Sequence, residues 1–323
     1  MGWWLVNADT LAGGRFVVSP LAEVTASLKT LERGSAAHPG ERVWLDTYRP
    51  AYRARLAADP AAPLLVRIGL CRSWNADFLT PTPAGDGGQS FEEELAWIRR
   101  TPPAAARADL AFSLGGGPLP AELERDDLPR LAAALLEWVW TETVLPEWPR
   151  RRRVIEADIV ARTEQLGRGG WAAALDTLRP EMRWLGEGRL QINARDHPPR
   201  EISGAQLLFV PVTPRTGWVS WDEPHRYAAV YPCAGALAEP AAAQVPEALG
   251  ALLGPVRATV LVLLDTPKST TQLVALTGQA LGSVGRHLKI LLDARLIHRR
   301  RAGRSVLYYR TDAGEALVGA QRE

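Results

Sequence analysis

The sequence predicts a multidomain α+β chain, and three observations predict it. Residues 1–233 mix helical apolar stripes with short extended runs, reading as a mixed helical domain with an antiparallel sheet. Residues 234–245 are rich in Ala and Pro with few bulky side chains, the composition of a linker. Residues 246–323 change pattern again, to short helices followed by a basic hairpin. A length of 323 residues is comfortable for two domains.

In order, residues 3–6 form a short apolar run expected as a strand, and Gly13-Gly14 turns the chain into an extended piece around Phe16. Ser19-Pro20 opens a helix whose stripe is Leu21, Val24, Leu28 and Leu31, because a hydroxyl caps and Pro suits the first helical position. Trp44, Tyr48, Tyr52 and Leu56 share another helical face, with a kink or break expected at Pro50. Residues 64–70 are apolar and fit either element type. After loops at 77–89 comes a helix over 91–98, a Gly-rich loop at 115–118, and two long helices over 128–144 and 148–166, parted by Pro146 and Pro149. Arg150 to Arg153 open the second of these. Cations oppose the dipole at a helix start, so a partner is expected: salt bridges to an acidic neighbour or a solvated end, with a second nucleic-acid patch as the alternative. From residue 182 five extended pieces follow, the first two joined by the turn Gly186-Glu187-Gly188; they read as the antiparallel sheet.

The C-terminal region carries the functional signal. Ser269, Thr270 and Thr271 can cap a helix start, and Gly278 suits the turn that ends it. The next helix begins near Ala280 or Leu281, with Leu281, Val284, Leu288 and Leu291 as its buried stripe. Gly282, Ser283, Arg286 and Lys289 lie on another face, small first and then basic, so that it can approach base edges and grip them. Then comes a hairpin turning at Ala302-Gly303, with Arg299, Arg300, Arg301 and Arg304 around its tip. Four like charges repel in a plain hairpin, but beside phosphates they release counterions. Helix, turn, helix and basic hairpin in this order make a winged helix-turn-helix, expected to contact DNA through Thr270, Gly282, Ser283, Arg286, His287, Lys289, Arg299, Arg300, Arg301 and Arg304.

Charge placement agrees. From Gly250 onward eleven Lys and Arg face five Asp and Glu, a net +6, while the remainder has 27 against 31, a net −4.

The stretch from Val245 onward resembles the ArsR-type winged-helix regulators of bacteria. Gly254-Pro255-Val256-Arg257, Ser269-Thr270-Thr271-Gln272-Leu273, Val284-Gly285-Arg286-His287-Leu288-Lys289 and Arg301-Ala302-Gly303-Arg304-Ser305-Val306-Leu307-Tyr308-Tyr309 carry the likeness. Two positions depart from it: Ala280 stands where that family has Ser or Thr, and Gly285 where Ser is common. The opening, through Ala8-Asp9-Thr10-Leu11-Ala12 and Phe78-Leu79-Thr80-Pro81, is similar to a long N-terminal region of some actinobacterial ArsR-like regulators. The resemblance implies a homodimer on operator DNA acting as a repressor. The flanking Leu249, Leu252, Leu253, Leu317 and Val318 are the expected dimer contacts.

Competing chemistry is sparse. There is no Gly-x-Ser-x-Gly elbow, His-Glu-x-x-His or P-loop, so no catalytic residue is assigned and no enzyme is expected. Cys71 and Cys233 are too few for a disulfide scaffold, and the five His are scattered, so no metal and no cofactor are expected. No apolar run reaches membrane-helix length, and a cytoplasmic protein is expected. The twelve Trp, all at or before Trp221, bring enough apolar area to line a pocket for a small-molecule effector in the first domain, with unassigned residues. The alternative is a winged-helix module that docks on an acidic protein partner.

Overall fold

The structure, a computed structural model, describes residues 2–320 apart from 38, 71–73, 86–87, 177, 180, 194–197, 234–244, 266 and 303–304. It divides into two units: Met1–Arg152 with Leu175–Ala236, and Arg153–Ala174 with Leu237–Glu323. The expected first domain is continuous over 1–233, whereas the first unit is interrupted at Arg153–Ala174. The expected linker lies outside the described residues except for Val245.

The first unit opens with β1 (Gly2–Leu5), α1 (Ala8–Ala12) and β2 (Arg15–Phe16). In α2 (Pro20–Arg33), Ser19 Oγ accepts the Ala22 N–H at 3.0 Å and Pro20 takes the first turn. The stripe Leu21, Val24, Leu28 and Leu31 is buried, as its spacing predicts. Gly34 ends the helix at φ +66°, a left-handed value that glycine adopts without steric cost. α3 (Pro39–Ala57) passes through Pro50 as one helix, so of the kink or break expected there the break does not occur. Pro50 and Asp46 are both exposed, so the Asp46 carbonyl that loses its intrahelical donor is open to water. Residues 64–70 resolve as most of α4 (Ala61–Gly69).

α5 (Phe91–Arg100) carries a full capping box, Ser90 Oγ taking the Glu93 N–H while the Glu93 carboxylate takes the Ser90 N–H. α6 (Pro103–Ser113) is followed by α7 (Leu128–Val139), a π-helical turn at Trp140–Val144, and the start of α8 (Trp148–Leu175), whose residues Arg153–Ala174, with an internal break at Gly170, belong to the second unit. Trp140 stacks on Phe91 at 4.7 Å within the helical core, while Trp138 reaches Tyr52 on another side.

The remaining strands of this unit are β3 (Arg183–Gly186), β4 (Arg189–Asn193), β5 (Arg200–Glu201), β6 (Gln206–Val212), β7 (Trp218–Asp222) and β8 (Arg226–Pro232). They do not make the single antiparallel sheet that was expected. One sheet runs β3-β4-β1-β5, with β1 antiparallel to β4 and parallel to β5. The other runs β2-β6-β8-β7, with β6 parallel to both β2 and β8 and only β7–β8 antiparallel. β7 takes the edge, so β8 returns between β7 and β6. The burial of β6 and β8 explains the preference: both are apolar runs covered along nearly their whole length, the mark of strands buried on two faces.

The second unit contains α9 (Glu247–Leu253), α10 (Pro255–Leu263), β9 (Lys268–Ser269), α11 (Thr270–Thr277), α12 (Leu281–Asp293), β10 (Ile297–Ala302), β11 (Ser305–Arg310) and α13 (Asp312–Gly319). Its sheet is antiparallel in the order β10-β11-β9. Val284, Leu288 and Leu291 of α12 pack with Leu249, Leu261, Leu273, Ile297 and Val318 in one core. Arg310 ties the hairpin to α10, donating from Nε to the Leu261 carbonyl at 2.9 Å and from Nη2 to the Val262 carbonyl at 2.8 Å; a cation suits the carbonyls of a helix's last turn. Among the described residues, no helix is long and apolar enough to cross a membrane.

Candidate functional site

The buried stripe of α12 fixes what its other side presents. With Val284, Leu288 and Leu291 turned inward, Gly282, Gly285, Arg286 and Lys289 are exposed. Gly278, at φ +68°, ends α11, and Gln279 and Ala280 lead into α12. Ala280 is the N-cap and gives no side-chain hydrogen bond. The first turn of α12 therefore keeps N–H groups available to an incoming acceptor. Ser283 and His287 are half-buried and face each other, Oγ to Nε2 at 3.4 Å, while Nδ1 of His287 is buried without a partner. These two residues brace the helix surface more than they extend it. Lys289 pairs with Asp293 at 3.5 Å, an exposed contact that water screens.

The hairpin places its cations by register. Arg299 lies across from Tyr308 and Arg300 across from Leu307, so the two project to opposite faces of the ribbon. Both are exposed. Arg304 and the Arg301 side chain lie outside the described residues. Thr270 begins α11, and Ser269, expected among the capping hydroxyls, is a buried residue of β9 paired with Leu307. Of the expected dimer contacts, Leu249 and Val318 are 1% exposed in the unit's own core, where α9 and α13 pack, and cannot face a partner; Leu252 is 67% exposed.

The first unit holds a cavity of about 1290 Å³. Five of the twelve Trp line it: Trp3, Trp4, Trp74, Trp218 and Trp221. Trp74 meets Phe112 edge-on at 4.8 Å and Trp221 at 5.5 Å, making an aromatic corner. Arg200 lies 4.0 Å over the Trp221 ring and is ion-paired with Glu223. Asp77, exposed to the cavity yet walled by protein, has its pKa pushed up to about 6, first by desolvation and then by Asp109, against the pull of Arg200. Two residues of the cavity lining keep buried donors, Nε1 of Trp4 and Nη1 of Arg179, without a hydrogen-bond partner among the described residues. The Trp content signals an aromatic lining. Nothing in the local sequence around Arg179 marks it, because its environment is set by distant chain.

Among the described residues, no group of three His, Cys, Asp or Glu could hold a metal ion. Comparison with protein-family models, with curated proteins and with solved structures finds no match.

Proposed function

We propose that the chain is a sequence-specific DNA-binding transcriptional regulator of ArsR-like type. In this reading the second unit is a winged helix-turn-helix, α12 its recognition helix and β10–β11 its wing. The carrying observation is the exposed face of α12: two glycines that permit close approach, followed by Arg286 and Lys289, opposite the buried Val284, Leu288 and Leu291; the Leu281 side chain lies outside the described residues. Small residues let the helix seat in the major groove. Arg286 makes a bidentate contact to guanine, and Arg299 and Arg300 grip phosphates on either side of the ribbon. The protein acts as a homodimer and represses, with a small non-metal ligand held by the first unit as its effector.

Fluorescence anisotropy on the promoter region of its own gene, against a scrambled duplex and across a salt series, tests this. Tighter promoter binding is expected, and Arg286→Ala is expected to cost about 1–3 kcal/mol and relax sequence preference. Absence of binding to either duplex at low salt would sink the proposal and leave docking on an acidic protein as the function of the basic surface.

A further inference from the structure

Trp4 and Arg179 both line the cavity, and each keeps a buried N–H donor without an acceptor among the described residues, which is unusual. Native proteins pair nearly all buried polar groups, and each one left unpaired costs roughly 1–3 kcal/mol. Trp4 Nε1 and Arg179 Nη1 are both donors only, so what completes them is an acceptor. The charge around them has one sign in excess. Lys29, Arg33, Arg67, Arg179, Arg200 and Arg215 line the cavity against Glu32, Asp77, Glu181 and Glu223. Two of those carboxylates are already engaged, Glu223 by Arg200 and Glu32 by Arg53 and the Tyr52 hydroxyl. Arg67 and Arg215 are exposed and make no ion pair or side-chain hydrogen bond among the described residues. The wall also carries an aromatic corner, where Trp74 meets Phe112 and Trp221 edge-on, beside the aliphatic Val66, Leu70, Ile192 and Val219.

We infer that this cavity binds a bulky aromatic organic anion, whose oxyanion is held by Arg179 and the Trp4 N–H and whose rings pack in the corner of Trp74, Phe112 and Trp221. The volume, about 1290 Å³, lies above the usual range for drug-sized ligands and suits a multi-ring body. Burial draws the Arg179 guanidinium pKa below its ordinary value, with Glu181 opposing, so a bound anion also relieves a desolvated cation. The inference deepens the effector role in the proposed function and rests on it for its regulatory meaning. The binding itself needs no DNA and is tested without it.

The probes are 8-anilinonaphthalene-1-sulfonate and its uncharged counterpart N-phenyl-1-naphthylamine, titrated against the full chain by dye fluorescence. The sulfonate is expected to bind at least tenfold more tightly than the neutral dye. Arg179→Met is expected to weaken the sulfonate at least tenfold and to leave the neutral dye within twofold. Should that variant fail to fold by near-UV circular dichroism, Arg67→Gln, at an exposed position, takes its place with an expected loss of at least threefold for the sulfonate alone. Equal affinity for the two dyes, or sulfonate binding unchanged in a folded variant, overturns the inference. If the dyes behave as expected while promoter binding is absent, the site stands and the DNA reading falls; the reverse pattern separates them the other way.

Discussion

Replacing Arg151 by Met tests the most demanding electrostatic contact in the first unit. Arg151 is 2% exposed and Glu23 is fully buried. Arg151 Nη1 donates to Glu23 Oε1 at 2.8 Å and to Ser27 Oγ at 2.9 Å, Nη2 reaches Glu147 at 3.0 Å, and the guanidinium lies 5.1 Å over the Trp44 ring. Glu23 also accepts the Thr213 N–H at 2.7 Å and the Thr213 hydroxyl. In Arg151→Met the Glu23 carboxylate keeps the Thr213 donors but loses its only buried counter-charge among the described residues. An uncompensated buried charge costs about 3–5 kcal/mol, a large share of an ordinary domain's stability. Glu23→Gln is milder, about 2 kcal/mol, because Arg151 keeps Glu147 and the amide still accepts from Thr213. Removing both charges costs less than the sum by at least about 1 kcal/mol, because neither is then left alone. Urea titration followed by Trp fluorescence reads the right unit, since eleven of the twelve Trp lie in it and only Trp171 does not. If Arg151→Met stays within about 1 kcal/mol of wild type, or the two changes add, the pair is not the anchor described here.

Glu94 predicts a pH dependence. Burial pushes its pKa up to about 7 from 4.5, with the Leu21 N–H opposing. The folded state thus holds the proton more tightly than the unfolded one. The stability Glu94 contributes is complete below about 4.5 and is lost as pH rises to about 7; Glu94→Gln removes that slope from urea midpoints, with at most about 1.4 kcal/mol per pH unit at stake. Gly314→Ala places a methyl on the Leu296 carbonyl oxygen and lowers the stability of the second unit by roughly 1–3 kcal/mol, read by far-UV circular dichroism; no change would mean that α13 is free to shift. Gly285→Ala meets open space within α12 and raises stability by about 0.5–1 kcal/mol, while, on the DNA-binding proposal, the added methyl on the exposed face weakens promoter binding; unchanged binding argues against close groove contact there. With Lys289, Arg299 and Arg300 as phosphate contacts in a dimer, log affinity against log salt has a slope of about −5, and Arg300→Ala reduces it by about 2.

Elements defined by local chemistry were legible in the sequence. The cap and stripe of α2 and the stripe of α12 need only neighbours a few residues away, and both appear where expected. α6 was passed over because its buried face amounts to Ala106 and Leu110, too little apolar surface to make a stripe. Strand direction was not legible, because the partner of β6 is chosen by which edge β7 occupies. The unbroken apolar run of residues 207–212 was the available signal for parallel pairing. An acidic neighbour was among the partners expected for the arginines at 150–153, and Arg151 has one, but nothing local points to Glu23, 128 residues away. The exposed basic face of α12 follows from periodicity alone. The orphan donors of Trp4 and Arg179 do not, since desolvation belongs to the folded chain.

The first strand also carries a consequence for synthesis. β1 ends at Leu5, yet its neighbours β4 and β5 begin at Arg189 and Arg200. The residues of β1 leave a ribosome nearly two hundred residues before those of β4 and β5, and until then have no sheet to join. Meanwhile Trp3 and Trp4 travel uncovered, a long loop whose closing entropy is met late. A nascent chain halted before residue 189 would therefore expose the β1 strand, whose Trp4 the folded protein buries, and such stalled chains are the species a chaperone would meet.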